Sequence, residues 1–516
     1  MKIKFLLLIF LTGWFFQLQA QEIFNFPRSN PASQKVASAK LLDFISAVEN
    51  SSHEMHSLMV LRNGNVIAEA WWSPYSPQLK HTMYSTSKSF TATAVGFAVQ
   101  ENLLSVEDRV IDYFPESVPD SISPNLAALR VEHLLTMSVG HEPEYTTQVV
   151  TSDDWVKTFL SQPIAHIPGS KFMYNTAATY MLAALVERVS GEGLVEFLTS
   201  RLFDPLGITG VDWEVDPKGI ATGGYGLRVK TEDMAKLGQL FLQKGNWQGK
   251  QLISPQWIEA ASSAQIMQNP TASQEQVAAS DWLQGYGYQM WRSRYDSYRA
   301  DGAFGQYILV LPKMDAVIAI TSETSSMQGL IDLVWEHILP AFNGEVSEGD
   351  DLRLKEVLGG LAIYPMAGVD NSTMELSLSG NRYGFQGDVE ELEVTFKKGK
   401  CEVILVEKGD TYRFAFGRES WISGNTERKG PYLVARAKGA LEGLAPFQVN
   451  GSYSWENANT LILQLNYTES PHTETFRIFF DGETAEMTQQ SIITSRANEA
   501  VVPLQGKLIL ETVNSF

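Results

Sequence analysis

The chain has 516 residues, 44% of them apolar and none in a long run of charge, so it can bury large cores, and disorder is excluded as its general state. A net charge of −19 argues against nucleic acid or an anionic membrane surface as partner, because such a field repels polyanions. The single cysteine, Cys401, rules out an intramolecular disulfide; its setting, Glu402-Val403-Ile404-Leu405-Val406, predicts a buried thiol on a strand.

In chain order, Lys2 and Lys4 precede an apolar run from Phe5 to Phe16 and a short polar stretch ending at Ala20. This is the pattern of a secretory signal peptide over residues 1–20, since the run is shorter than the ~20 apolar residues of a spanning helix. Export to the periplasm or beyond is expected, without stable membrane insertion once the signal is removed. Val36 to Val48 has helical spacing, and Ser57–Leu61 and Val66–Ala68 flank Asn63-Gly64 as a β-hairpin. Ser85 to Leu104 predicts a helix. Further helices are expected at Val131–Met137, Asp154–Ser161, Thr176–Ser190, Leu194–Leu202, Thr231–Lys244 and Pro255–Ala264, with Thr231 as an N-cap. Strand patterns return at Gly285–Trp291, Tyr307–Leu311 and Ala316–Thr321, before a last helix at Gln328–Ile338. Strands at both ends and helices between them predict one α/β (α+β) unit, residues 21–343, whose sheet joins chain-distant strands.

Residues 344–354 are acidic and lack periodicity, which predicts a linker. Beyond it, residues 355–516 hold short alternating runs: Met374–Leu378, Leu392–Phe396, Glu402–Val406, Tyr412–Phe416, Tyr432–Ala435, Leu461–Tyr467, Phe476–Phe480 and Glu486–Thr488. Their spacing predicts an all-β domain, a barrel or a sandwich.

The sharpest chemical feature is Tyr84-Ser85-Thr86-Ser87-Lys88 at the start of a predicted helix, where Ser85 and Lys88 fall one turn apart on one face. A serine hydroxyl needs an adjacent base, and a lysine serves once desolvation leaves its amine neutral. A nucleophile at a helix N-terminus can also offer its own N–H to an oxyanion.

These residues, with the hairpin before them and the stretches Gly96–Phe114, Val131–Gly140 and Pro168–Thr176, resemble class C β-lactamases, DD-peptidases and their esterase and amide-hydrolase relatives over about residues 36–340. The resemblance implies an antiparallel sheet flanked by helices, with a cleft between sheet and helical lobe and an acyl-enzyme on Ser85. It implies Lys88 as base and Tyr174 as the proton-shuttling tyrosine of the second motif. The asparagine of that motif is displaced: Thr176 holds the matching position and Asn175 lies one residue early, so either could reach substrate or Lys88. For the third motif, a Lys-Thr-Gly or its variants, the match is Ala300-Asp301-Gly302. Asp301 and Gly302 would then border the substrate, and the N–H of Ala303 would join that of Ser85 in the oxyanion hole. The basic first residue is missing, with Arg299 one place away, which argues against substrates read through a carboxylate.

No cofactor or metal is implied, since His53, His56, His133 and His166 lack ligand spacing. His141 is read as a loop bystander, and Tyr286, Tyr288 and Trp291 as either a substrate wall or core. The expected activity is cleavage of a small ester, amide or peptide. A true β-lactamase or DD-peptidase, or a non-catalytic ligand sensor on this fold, is the alternative. Every residue assigned chemistry precedes Asn343, so the β-domain is expected to be dispensable for reaction at Ser85.

Overall fold

The computed structural model describes residues 24–439, 446–496 and 502–509. The expected signal segment, residues 1–20, lies outside the described residues.

The hairpin forms as its turn chemistry demands. Strands β1 (Glu54–Arg62) and β2 (Asn65–Trp71) pair antiparallel across Asn63 and Gly64, whose φ values of 50° and 71° suit a two-residue turn. The other edge of β1 pairs with a strand from the far end of the unit. With β3 (Trp291–Arg292), β4 (Tyr298–Gly302), β5 (Gln306–Leu311) and β6 (Ala316–Glu323), the sheet order is β2-β1-β6-β5-β4-β3, antiparallel throughout. Both faces are covered, which explains the near-continuous apolar runs of β1 and β6. Met59 and Leu61 face one core, shared with helix α2 (Ser87–Gln100) and the helical lobe. Leu58 and Val60 face another, shared with α1 (Ser38–Glu49) and the helical segment 327–341. Helices α3 (Thr176–Ser190) and α4 (Thr231–Leu242) form close to where the periodicity places them. Lys230 caps α4, however, not Thr231, whose hydroxyl is instead 2.7 Å from that of Ser57.

Three segments ahead of the barrel strands depart from expectation. Of Gly285–Trp291, only Trp291 is in a strand; positive φ at Gly285 and Gln289 (101° and 57°) breaks the rest into turns. The expected linker at 344–354 contains the start of helix α5 (Glu348–Gly359), whose Asp351 accepts the Ser38 hydroxyl at 2.5 Å and whose Leu354 is buried with α1 and β2. Three of its acidic residues, Glu348, Asp350 and Asp351, sit in the first turn, where they complement the helix dipole, and so little of the helix is buried that periodicity is faint. Met374–Leu378 alternates like a strand but lies in helix α6 (Ser372–Leu378), which buries Glu375 and Leu378, three apart, and leaves Leu376 in solvent.

The C-terminal domain is a barrel. Strands β7 (Asn381–Phe385), β8 (Val389–Lys397), β9 (Lys400–Glu407), β10 (Asp410–Arg418), β11 (Ile422–Thr426), β12 (Phe447–Trp455), β13 (Thr460–Tyr467), β14 (Thr473–Asp481), β15 (Thr484–Gln490) and β16 (Leu504–Leu508) run in the order β10-β9-β8-β7-β16-β15-β14-β13-β12-β11. A parallel pairing of β10 with β12, Phe416 opposite Gly451, closes the ring and leaves β11 outside it. The ring encloses Val394, Cys401, Phe416, Trp455, Leu463 and Ile478. The predicted strand Tyr432–Ala435 is instead a turn lying against the N-terminal domain. Among the described residues, no helix is long and apolar enough to cross a membrane.

Candidate active site

The turn that carries Ser85 is a short 3-10 segment, Tyr84–Thr86, feeding α2. Tyr84 has φ +45°, a left-handed conformation that costs a residue with a side chain about 1–3 kcal/mol and persists only where its surroundings impose it. Ser85 is half-exposed between buried neighbours, so the turn offers one side chain to solvent. Lys88 lies one turn on and is 1% exposed, with Nζ 3.0 Å from Ser85 Oγ, 2.7 Å from the Gly224 carbonyl oxygen and 3.2 Å from Thr176 Oγ1. Burial pushes Lys88 down to about 7, with Asp301 and Glu144 opposing. A neutral amine suits this shell. As a neutral amine Lys88 can donate its two N–H groups to Gly224 and Thr176 and turn its lone pair to the Ser85 hydroxyl.

Tyr174 hydrogen-bonds Ser85 from the other side, and its ring lies 5.0 Å from Lys88 Nζ. Burial raises its pKa well above the usual phenol value, with Asp301 adding to the shift, so it stays protonated. The ring is held by Trp291, stacked at 5.6 Å, within a cluster of Met137, Phe172 and Tyr286. Trp291 and Tyr286 therefore back the tyrosine, while Tyr288 packs apart from them on Trp257.

The structure separates the two residues after Tyr174. Asn175 is the N-cap of α3: its Oδ1 accepts the Ala178 N–H at 3.1 Å, and its Nδ2 lies 3.0 Å from His141 Nδ1. Capping turns the side chain back onto its own helix, so Asn175 is not the expected substrate contact. Thr176 is the one that touches Lys88. His141 is itself buried, and burial holds it down at about 4.

The third segment ends β4. Pairing with β3 reaches only Tyr298 and Arg299, so Ala300–Gly302 finish an otherwise open edge beside the Ser85 turn. A Cβ on Gly302 would meet the Met83 carbonyl oxygen at 2.2 Å and Thr86 Oγ1 at 3.1 Å, so the strand approaches the Ser85 turn as only glycine allows. Ala303, half-exposed like Ser85, opens the tight turn that returns through Gly305 N–H to the Gly302 carbonyl at 3.1 Å. Asp301 is not a free substrate contact. It is buried and ion-paired at 2.8 Å with Arg299, which is itself 4.4 Å from the Trp282 ring. Positions 299 and 301 share a face of the strand, so the arginine that is out of register with the motif is in register with Asp301.

Two contributors escaped the sequence reading. Gln289 donates to the Leu134 and Leu135 carbonyls at 3.0 and 2.9 Å and accepts Thr179 Oγ1 at 2.7 Å, tying the helical lobe to α3. Gly224 was foreshadowed only by the glycine density of Gly223-Gly224-Tyr225-Gly226. A Cβ there would lie 2.7 Å from Thr176 Cγ2 and 3.4 Å from Lys88 Nζ. Gly224→Ala is therefore expected to lower turnover on the order of 100-fold by displacing Lys88, measured as kcat on an activated ester with circular dichroism confirming the fold. Unchanged turnover would mean that this carbonyl does not place the amine. Among the described residues, no group of His, Cys, Asp and Glu side chains is arranged to hold a metal ion.

This chain is 26% identical over 282 residues to the 6-aminohexanoate-dimer hydrolase of Paenarthrobacter ureafaciens, covering 51% of this chain and 71% of that protein. It is 21% identical over 320 residues to a beta-lactamase of Escherichia coli, covering 51% and 80%. A solved Bacillus anthracis structure, provisionally named a 6-aminohexanoate-dimer hydrolase, shares the fold at a TM-score of 0.50 and 19% identity, over 62% of this chain and 88% of that one. The Beta-lactamase family model matches residues 49–336, a span that runs from the end of α1 through the sheet and every site residue described above, and the chain belongs to that family.

Proposed function

We propose that this protein is an exported serine hydrolase that cleaves an ester or amide bond through an acyl-enzyme on Ser85. The observation that carries the reading is the buried Lys88 amine, 3.0 Å from Ser85 Oγ and otherwise satisfied by Gly224 and Thr176. In the first step Lys88 takes the Ser85 proton as Oγ attacks the carbonyl carbon. The oxyanion is received by the N–H groups of Ser85 and Ala303. As the tetrahedral intermediate collapses, the bond to the leaving oxygen or nitrogen breaks and the proton passes to that atom through the Tyr174 hydroxyl. Water gives a proton to Lys88 along the same route and attacks the acyl carbon, the bond to Ser85 Oγ breaks, and Lys88 returns the proton to Oγ.

Substrate preference follows from the third motif. The strand presents no free cation to receive a carboxylate, because Arg299 is buried and committed to Asp301. That a relative is named a 6-aminohexanoate-dimer hydrolase supports an ester or amide substrate. Export rests on the N-terminal pattern of Lys2, Lys4 and the apolar run ending at Phe16.

The test is intact-mass analysis of the whole protein with a fluorophosphonate, followed by turnover of short-chain esters, hydrophobic amides and a cephalosporin. One adduct, and faster turnover of the esters or amides, are expected. Efficient cephalosporin hydrolysis would promote the β-lactamase alternative, and no adduct with any reagent would leave the non-catalytic sensor.

A further inference from the structure

We infer that the C-terminal barrel is a working part of the catalytic apparatus: its loop between β13 and β14 holds the backbone that precedes Ser85, with His472 as a positioning residue for the nucleophile. The inference rests on Ser85 being that nucleophile, and it reverses the expectation that the barrel is dispensable.

The loop grips the approach to Ser85 at two successive alternate residues. The Glu469 carbonyl accepts the Thr82 backbone N–H at 2.9 Å and the Thr82 hydroxyl at 3.0 Å. Two residues on, the Tyr84 hydroxyl lies 2.6 Å from His472 Nε2, while His472 Nδ1 lies 2.5 Å from Glu323 at the end of β6. The Ser470 carbonyl also accepts the Tyr75 hydroxyl at 3.0 Å. His472 is thus a bridge with one nitrogen on the residue before the nucleophile and the other on the central sheet. Both His472 and Tyr84 are buried, so the bond between them does not compete with water.

The same imidazole reaches the second half of the site. Its ring packs edge-on against Phe304 at 4.8 Å, and Phe304 lies 5.5 Å from the Tyr84 ring. Phe304 follows Ala303 and, like Tyr84, has a left-handed backbone, at φ +66°. The two residues that neighbour the proposed oxyanion donors both have a conformation that local sequence does not favour, and His472 touches both. Such conformations persist where the surroundings over-determine them, and here a large share of the surroundings comes from the other domain. From the 430–437 segment, Tyr432 stacks on Tyr84 at 5.5 Å.

A contact that merely joined two domains would affect stability and leave catalysis alone. The experiment compares Tyr84→Phe, His472→Gln and their double variant in the full chain. Each is measured for its fluorophosphonate labelling rate, for kcat and KM on a small activated ester, and for thermal unfolding. Lys438→Ala is the control: it removes an exposed interdomain ion pair with Asp153 that touches neither turn. The expected result is a fall of about 10- to 100-fold in labelling rate and kcat, with KM within about twofold. The double variant should be no worse than the more affected single variant, and Lys438→Ala should match wild type. Folded Tyr84→Phe and His472→Gln proteins that label and turn over like wild type would overturn the inference, as would losses confined to KM or to thermal stability. Should His472→Gln not fold, Tyr84→Phe, which deletes a single oxygen, decides alone. A wild-type protein that takes no label would instead refute the Ser85 reading.

Discussion

Ser85→Ala is expected to take no fluorophosphonate adduct and to lose nearly all ester turnover. The change deletes one oxygen from a half-exposed position in a turn whose other residues are buried, so the fold should survive it. Lys88 loses one partner and keeps the Gly224 carbonyl and Thr176. Without Oγ no covalent acyl-enzyme can form, and the remaining donors could at most polarise a carbonyl toward free water. The check is intact mass after labelling, beside circular dichroism and single-turnover kinetics. An adduct persisting on the Ser85→Ala protein would mean that another side chain is the nucleophile.

Lys88→Met should lower kcat/KM by at least about 100-fold, the typical worth of a general base. Methionine is of similar length and apolar, so it can occupy the channel, but it has no lone pair of comparable basicity for the Ser85 proton and no N–H for Gly224. The pH profile supplies the mechanistic readout. Burial pulls the Lys88 ammonium down to about 7, against the opposing pull of Asp301 and Glu144. Below that pH the amine is protonated and cannot accept from Ser85; above it the lone pair is free. Wild-type kcat/KM should therefore rise as pH passes upward through about 7 and level off, and the residual activity of Lys88→Met should lack this limb. A wild-type profile flat from pH 5 to 9 would remove Lys88 from the role of base.

Local sequence carried much of this design because some interactions reach only a few residues. Asn63-Gly64 specifies its turn whatever the rest of the chain does, and Ser85 and Lys88 share a face because helical spacing places them there. The site strand Tyr298–Gly302 was less legible: it is short, and its arginine and aspartate are buried as an ion pair, with the arginine also donating to the Asp281 carbonyl and the Ser293 hydroxyl. Residues 344–354 misled for the opposite reason, since a helix that buries little shows little periodicity.

By itself, then, the sequence determined the hairpin, most helices of the N-terminal unit and the placing of Ser85 and Lys88 one turn apart, through spacing of a few residues, while Tyr174 was pointed to by the family resemblance. Only the tertiary structure decided between Asn175 and Thr176, because capping a helix and touching Lys88 are choices of direction that composition does not encode. It alone cancelled Asp301 with Arg299 and brought the Gly224 carbonyl to the amine across 136 residues of chain. It alone set His472 against Tyr84, 388 residues away. Long-range polar contacts of this kind leave no periodic trace. Each depends on where two folded surfaces meet, inside the N-terminal domain for Lys88 and Gly224 and between the two domains for Tyr84 and His472.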